Sequence, residues 1–213
     1  MKILKKKRVI SVILAALIVC QIGSISVKAD GYVCGHGYHT FGDYTLNGGV
    51  GNYGYTNRYY WVSSSFSSTY VTYIQNSVKQ WVNTTSDIGV STPISIVKTS
   101  TKTSSVFDVY STYLGATTLG RTDFWKSGAK LTLNSSGALT QNYGYTYIHV
   151  NPTALNSESA SQRQATVAHE FGHAMGLSHK NTVSTSIMCQ NQGGFRTATR
   201  ASASDLNAIN HLY

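Results

Sequence analysis

The run HEFGHAMGLSH at residues 169–179 places three histidines, one glutamate and two glycines within eleven residues. On a helix, His169 and His173 are one turn apart and therefore share a face. Two imidazoles at this spacing can bind one first-row metal ion. Glu170 lies beside the pair and not in line with it, which suits a carboxylate that acts on a water molecule instead of binding the metal.

A third ligand has to come from beyond that helix. Gly176 can adopt a positive φ and end the helix in a sharp turn, after which His179 can return toward the first two histidines. Three imidazoles leave the fourth position of a tetrahedral zinc ion open for water, as in catalytic sites and unlike structural ones. The motif therefore predicts a catalytic zinc site.

The same run matches the HExxHxxGxxH signature of the metzincin zinc endopeptidases at all five fixed positions. The segment Ser186-Ile187-Met188 resembles the methionine turn of that family, with Met188 as its methionine. The order of predicted elements is similar to that of the matrixin branch. This resemblance implies an α+β, zincin-like catalytic domain with a twisted, mostly parallel sheet and two long helices, one of which is the zinc helix. It also implies a small C-terminal subdomain that ends in a helix.

The resemblance further implies a secreted zinc-dependent endopeptidase that acts on proteins or peptides. His169, His173 and His179 would bind one catalytic zinc ion, and Glu170 would be the general base and acid. A strand containing Tyr147 and His149 would pair with an extended substrate. At most one calcium ion is expected, because only eight acidic residues are present in the whole chain.

Two other functions remain open at this stage. One is a secreted zinc-binding adhesion or binding module without turnover, and Glu170 argues against it because a pure metal scaffold needs no such acid. The other is a zinc amidohydrolase that acts on a non-protein amide, which the site residues alone do not exclude.

The first 29 residues have the features of a secretory signal peptide. A basic start at residues 5–8 precedes a largely apolar run at 9–19, and the segment ends in Val27-Lys28-Ala29. Cleavage before Asp30 would leave a glycine-rich segment at 30–57, followed by a catalytic domain at 58–213. The glycine-rich segment could be a loop region or a short, removable pro-segment. We expect an extracellular protein without a membrane anchor in its mature form.

Removal of that segment changes the charge of the chain considerably. The formal net charge is +9, but six of the 17 basic residues and none of the eight acidic residues lie in positions 1–29, so the mature charge is +3. No basic stripe interleaves with aromatic residues, so we expect no nucleic-acid partner. A monomer is expected.

The spacing of apolar residues and the positions of capping residues and glycines predict the remaining helices, strands and loops. Helical spacing of apolar residues predicts helices over 67–83, 156–175 and 202–213, with capping residues at Ser67 and Ser68, at 156–159 and at Ser202. Runs rich in aromatic and β-branched residues predict strands at 58–62, 94–97, 107–113 and 145–150. The stretch LGRTDFWKSG at 119–128, which contains two glycines, is expected to be a connecting loop.

The mature chain retains two cysteines, Cys34 and Cys189, for which several roles remain open. They could form a disulfide in an exported protein or stay free. Cys34 could also join His36 and His39 in a second metal site. The matrixin resemblance adds latency, in which Cys34-Gly35 would bind the catalytic zinc, although the flanking residues of the family's switch are missing here. His211, near the end of the closing helix, is expected only to interact with the helix dipole.

Overall fold

The computed structural model describes residues 30–82, 84–191 and 195–213. The predicted signal peptide at 1–29 lies outside the described residues. Across the described ranges, none of the helices is both long enough and apolar enough to cross a membrane.

A six-stranded sheet forms the centre of the fold. Its strands are β1 (Arg58–Val62), β2 (Ile96–Lys98), β3 (Phe107–Ser111), β4 (Gly120–Lys126), β5 (Ala129–Leu131) and β6 (Tyr145–Val150). They lie in the order β2-β1-β3-β6-β4-β5. The strands β2, β1, β3 and β6 are parallel to one another, whereas β4 is antiparallel to both β6 and β5. The mostly parallel sheet expected from the sequence is confirmed.

Two long helices pack side by side, and the core lies between them and the sheet. The helices are α1 (Ser68–Val82), α2 (Thr84–Ile88), α3 (Pro152–Leu155), α4 (Ala160–Ala174) and α5 (Ala203–Leu212). The indole Nε1 of Trp81 in α1 donates to the carbonyl O of Ala168 in α4 at 3.0 Å. The apolar face predicted for α1 is buried, which is why this helix can cover α4.

The expectation of a loop at 119–128 is wrong, because most of this stretch forms β4. Phe124 is buried and packs against the core, and Thr122 contacts α4 through Glu170. Between them Asp123 is also buried, because Arg121, Lys130 and His149 surround its carboxylate. This buried acid hides the alternation of polar and apolar residues by which a strand is normally detected.

The glycine-rich segment at 30–57 has little regular structure, as expected, but it is packed against the domain. Leu46 and Val50 are buried in the core. Near its start, the backbone N–H of Gly31 donates to the carbonyl O of His179 at 2.9 Å. The segment therefore supports the turn that carries the third predicted zinc ligand.

Candidate metal centre and active site

The end of α4 and the turn after it bring together the three histidines of the motif. The helix begins after Ser159, whose side chain accepts a hydrogen bond from the N–H of Gln162, and it ends at Ala174 with Met175 as the C-cap. Gly176 then adopts a φ of 102°, the left-handed conformation that the sequence predicted at this position. Beyond the turn, one ring nitrogen of each histidine lies within 4.8 Å of the others.

These three rings have the geometry of a set of ligands to one ion. Nε2 of His173 lies 3.1 Å from Nε2 of His179. Nitrogens bound at about 2.0–2.1 Å to a tetrahedral zinc ion lie roughly 3.3 Å apart. The His169 ring centroid lies 4.5 Å from that of His173 and 5.3 Å from that of His179. The residues present therefore fit a zinc ion with three imidazole ligands.

Backbone carbonyls fix the orientation of the two helical imidazoles. Nδ1 of His169 hydrogen-bonds to the carbonyl O of Ile187 at 2.8 Å, and Nδ1 of His173 hydrogen-bonds to that of Leu177 at 2.7 Å. With Nδ1 as the donor, Nε2 keeps its lone pair for a metal. Burial lowers the pKa of His173 to about 4 and that of His169 well below its usual value. Both rings are therefore neutral, the form that binds metal.

The helix carries these ligands on a covered face. His169 and His173 share one face of the helix, as expected, and they are only 5% and 6% exposed. Strand β4 and the segment around Met188 both pack against α4, so the helix is buried from Ala165 to Ala174. A periodic apolar stripe cannot reveal this, because the polar face is covered as well.

Glu170 lies next to the histidines and contacts β4. Its carboxylate Oε2 accepts a hydrogen bond from Oγ1 of Thr122 at 2.8 Å. Burial raises the pKa of Glu170 to about 7, although the Thr122 hydrogen bond lowers it. Gly120 leaves room for this carboxylate, since a Cβ there would lie 2.6 Å from Oε1.

Met188 lies beneath the zinc helix, where the sequence predicted a methionine turn. It is 1% exposed, and its sulfur packs against Gly172, where an added Cβ would collide with it. Asp205 of α5 holds the turn by accepting from Oγ of Ser186 at 2.5 Å and from the backbone N–H of Ile187 at 3.0 Å. The closing helix thereby fixes the turn under the histidines.

A comparison with protein families identifies the family of the chain. The family model of the matrixins matches residues 69–213, more than half of the chain, including the zinc helix and the methionine turn. The chain belongs to the matrixin family. It is therefore a zinc metalloendopeptidase, and not the binding module considered as an alternative.

Solved structures of zinc proteases have partly similar folds. High choriolytic enzyme 1, a hatching enzyme zinc-protease from Oryzias latipes (medaka fish), is 15% identical with a TM-score of 0.44, covering 74% of this chain and 89% of that chain. A structure of myroilysin is 15% identical with a TM-score of 0.42, covering 74% of this chain and 92% of that chain. No curated protein matches the sequence. The family assignment depends on the family model alone.

The catalytic centre of this matrixin opens into a cleft of about 1130 Å³. Its walls include the first half of β4, the start of the N-terminal segment and Arg196. Arg196 is 2% exposed, and its Nη2 donates to Oγ1 of Thr166 at 2.9 Å. Motif analysis missed Arg196, Thr122 and Gly120, because each approaches the site from a distant part of the chain.

The proposed substrate strand has to be corrected. Strand β6 pairs with β3 on one side and with β4 on the other, so it has no free edge for a peptide. Tyr147 and His149 also face away from the core, whereas Ile148 between them is fully buried. His149 instead contacts Asp123, with Nε2 3.4 Å from Oδ2. Only the last three residues of β4 pair with β5, so the free edge belongs to the first half of β4.

The cysteines occupy separate places in the matrixin. Cys34 and Cys189 are both buried and free, so the disulfide considered from the sequence is not formed. Sγ of Cys189 lies 3.8 Å from the carbonyl O of Asn181. Sγ of Cys34 lies 3.6 Å from Nε2 of His211 and outside the three-histidine group. Cys34 therefore contacts the closing helix and does not take the zinc-blocking position.

His39 is also placed differently from the expectation that grouped it with Cys34 and His36. Its Nδ1 hydrogen-bonds to the carbonyl O of His179 at 2.9 Å. His39 thus supports the loop of the third zinc ligand. The expected calcium site stays a prediction, since neither cluster of metal-ligating side chains found among the described residues consists of oxygen ligands alone.

Proposed function

We propose that this matrixin is an exported endopeptidase in which Glu170 is the general base and acid for peptide hydrolysis. The observation that carries the proposal is the burial of the Glu170 carboxylate beside three converging imidazoles, at the wall of an open cleft. A hydrolytic site needs both a proton acceptor and a Lewis acid at one carbonyl, and this arrangement supplies the residues for both.

His169, His173 and His179 would hold a zinc ion, which would serve as a Lewis acid for a carbonyl and would lower the pKa of a water molecule to about 7. Glu170 accepts the proton of the attacking water and passes it to the leaving amine. The hydroxyl of Thr122 donates a hydrogen bond to Oε2 of that carboxylate, and Gly120 leaves space beside Oε1. Oε1 is therefore the oxygen that takes and delivers the proton.

The free edge of β4 binds the substrate in this proposal. Gly120 and Thr122 line the cleft, and the register of β4 on β6 continues through both residues. An extended peptide can add to such an edge through main-chain hydrogen bonds, which depend little on side-chain identity. Substrates are therefore unfolded proteins or flexible peptides. Peptides with N-methyl groups on the amides that pair with β4 are expected to have a higher KM.

A direct test incubates the purified protein with an unfolded protein substrate. Cleavage is expected to stop with a zinc chelator and to return when zinc is added back, while an inhibitor of serine proteases has no effect. Cleavage that persists after complete zinc removal would contradict the proposal. A chelator-sensitive activity found only on non-protein amides would support the amidohydrolase instead.

Export is the second part of the proposal, supported by the sequence of residues 1–29. Asp30, the residue after the expected cleavage site, is held on the folded domain, because its carboxylate accepts from the N–H and Oγ1 of Thr182 at 2.9 and 2.8 Å. N-terminal sequencing of protein from the culture medium is expected to begin at Asp30. A protein that stays inside the cell with residues 1–29 attached would contradict export. The mature protein is expected to be a monomer.

A further inference from the structure

A second cluster of metal-ligating side chains joins the N-terminal segment to the closing helix. Its members, which we call the Cys34 cluster, are Cys34, His36, Asp43 and His211. One ligand atom of each lies within 4.8 Å of the others. Residues 34 and 211 are 177 positions apart in the chain. The sequence grouped Cys34 with His36, and the tertiary fold adds Asp43 and His211 in place of His39.

Local structure holds the members of the cluster in place. A turn with a φ of 84° at Gly37 follows His36, and the N–H of Gly37 donates to the carbonyl O of Cys34 at 2.9 Å. On the other side, the ring of Tyr38 stacks on that of His211 with centroids 4.6 Å apart. The turn and the stacked ring orient the thiol and the imidazole toward each other.

The distances fit tetrahedral zinc. Sγ of Cys34 lies 3.6 Å from Nε2 of His211. The same Nε2 lies 3.1 Å from Oδ1 of Asp43, and Nδ1 of His36 lies 3.5 Å from Oδ2. With Zn–S near 2.3 Å and Zn–N or Zn–O near 2.0–2.2 Å, a tetrahedral ion separates sulfur from nitrogen by about 3.6 Å and nitrogen from oxygen by about 3.4 Å.

An ion pair alone does not account for all four groups. Asp43 between two histidines would suffice to explain the three more exposed members. It gives no reason for the Cys34 thiol, which is 4% exposed and contacts the same imidazole nitrogen. One thiolate, two imidazoles and one carboxylate are instead a ligand set suited to zinc, because thiolate disfavours magnesium and calcium.

We propose that the Cys34 cluster binds a second zinc ion with a structural role. Four protein ligands complete a tetrahedral shell, so this ion is closed to substrate, unlike the three-histidine centre. It would connect the N-terminal segment to α5, which also holds the methionine turn through Asp205. Because only the folded chain assembles these ligands, binding stabilises the fold.

Metal content tests this proposal without reference to peptide cleavage. The zinc-loaded mature chain is expected to hold two zinc ions, measured by elemental analysis after removal of loosely bound metal. His211→Ala and, at an exposed position, His36→Ala should each lower the content to one and lower Tm. The control His149→Ala, outside both clusters, should keep two. A parent protein with one zinc ion, or variants that keep two, would overturn the proposal.

Cobalt substitution identifies the ligand. The cobalt protein should show a thiolate-to-cobalt charge-transfer band, which is lost in Cys34→Ser and kept in the control Cys189→Ser. The band should also disappear in His36→Ala. A band that persists there would show that His36 does not help Cys34 to hold the ion and would overturn the four-ligand site. Absence of the band in the parent, with no free thiols, would show a disulfide and overturn it equally.

Discussion

At the scale of single residues, Gly120 shows how closely β4 approaches the carboxylate of Glu170. A Cβ at this position would lie 2.6 Å from Oε1 and 2.8 Å from Cγ of Glu170. Real Cβ atoms do not come this close to other heavy atoms, so either the carboxylate or the strand would have to move. Glycine is therefore needed here for space, and not for its backbone freedom.

Gly120→Ala is expected to displace the carboxylate and to lower kcat/KM by about 10²-fold, the effect of a misplacement of about 1 Å. Zinc content should stay unchanged, because the three imidazoles are not touched. Gly144→Ala is the matched control, since its nearest atom, the carbonyl O of Trp125, would lie at 3.6 Å. Equal activity of the two variants in a peptide assay would contradict the role given to Gly120.

The convergence of the three histidines could be predicted because their positions depend on local geometry. His169 and His173 are one helical turn apart, and Gly176 provides the turn that returns His179. Thr122 could not be predicted in the same way, since it reaches Glu170 from a strand 48 residues away. A sequence pattern specifies neighbours along a helix but not which strand will lie against it.

At the scale of elements, α5 and the methionine turn form one unit through Asp205. Its Oδ2 accepts from the backbone N–H of Ile187 at 3.0 Å and of Ser202 at 2.8 Å, while Oδ1 accepts from Ser186. The sequence predicted Ser202 as the helix cap, and the structure confirms it with a capping box. The contact of Asp205 with the methionine turn could not be predicted from the sequence, because it depends on the tertiary packing of that turn against α5.

Asp205→Ala is expected to lower the free energy of unfolding by on the order of 3 kcal/mol, because it leaves buried donors without an acceptor. Asp87→Ala is the control, since that carboxylate is 47% exposed in an ion pair with Arg200 and should cost about 0–1 kcal/mol. Denaturant unfolding measures both. A loss for Asp205→Ala as small as that of the control would contradict the account of this contact.

Strand β4 was mistaken for a loop for a physical reason. Its central acid, Asp123, is 8% exposed because neighbouring charges cover it, with Nζ of Lys130 2.9 Å from Oδ1. Sequence patterns treat such a residue as exposed, so the alternation of the strand is lost. Without β4, strand β6 was expected to be the edge strand that binds the substrate. In the sheet, β6 lies between β3 and β4.

At the scale of the whole molecule, the N-terminal segment is part of the folded domain. Leu46 is 1% exposed in the core, and its backbone N–H donates to the hydroxyl of Tyr213 at the other end of the chain. The order of strands and helices could be predicted from periodicity, but this packing could not, since glycine-rich sequence carries no periodic signal.

Leu46→Ala is expected to lower the free energy of unfolding by about 2–5 kcal/mol, as for other large-to-small changes in cores. Leu133→Ala, at a position that is 42% exposed, should change it by less than about 0.5 kcal/mol. Thermal or denaturant unfolding of the mature chain gives both values. Stability unchanged by Leu46→Ala would indicate that the segment is dispensable, as a removable pro-segment would be.

Parallel measurement of turnover and zinc content in Glu170→Gln tests the central claim most directly. The variant should bind as much zinc as the parent, because all three imidazoles remain, while kcat falls by about 10²–10⁴-fold. The control Glu158→Gln, which changes the other glutamate of the sequence, should keep both properties. Full turnover in Glu170→Gln, with zinc in place, would contradict the assignment of Glu170 as the general base and acid.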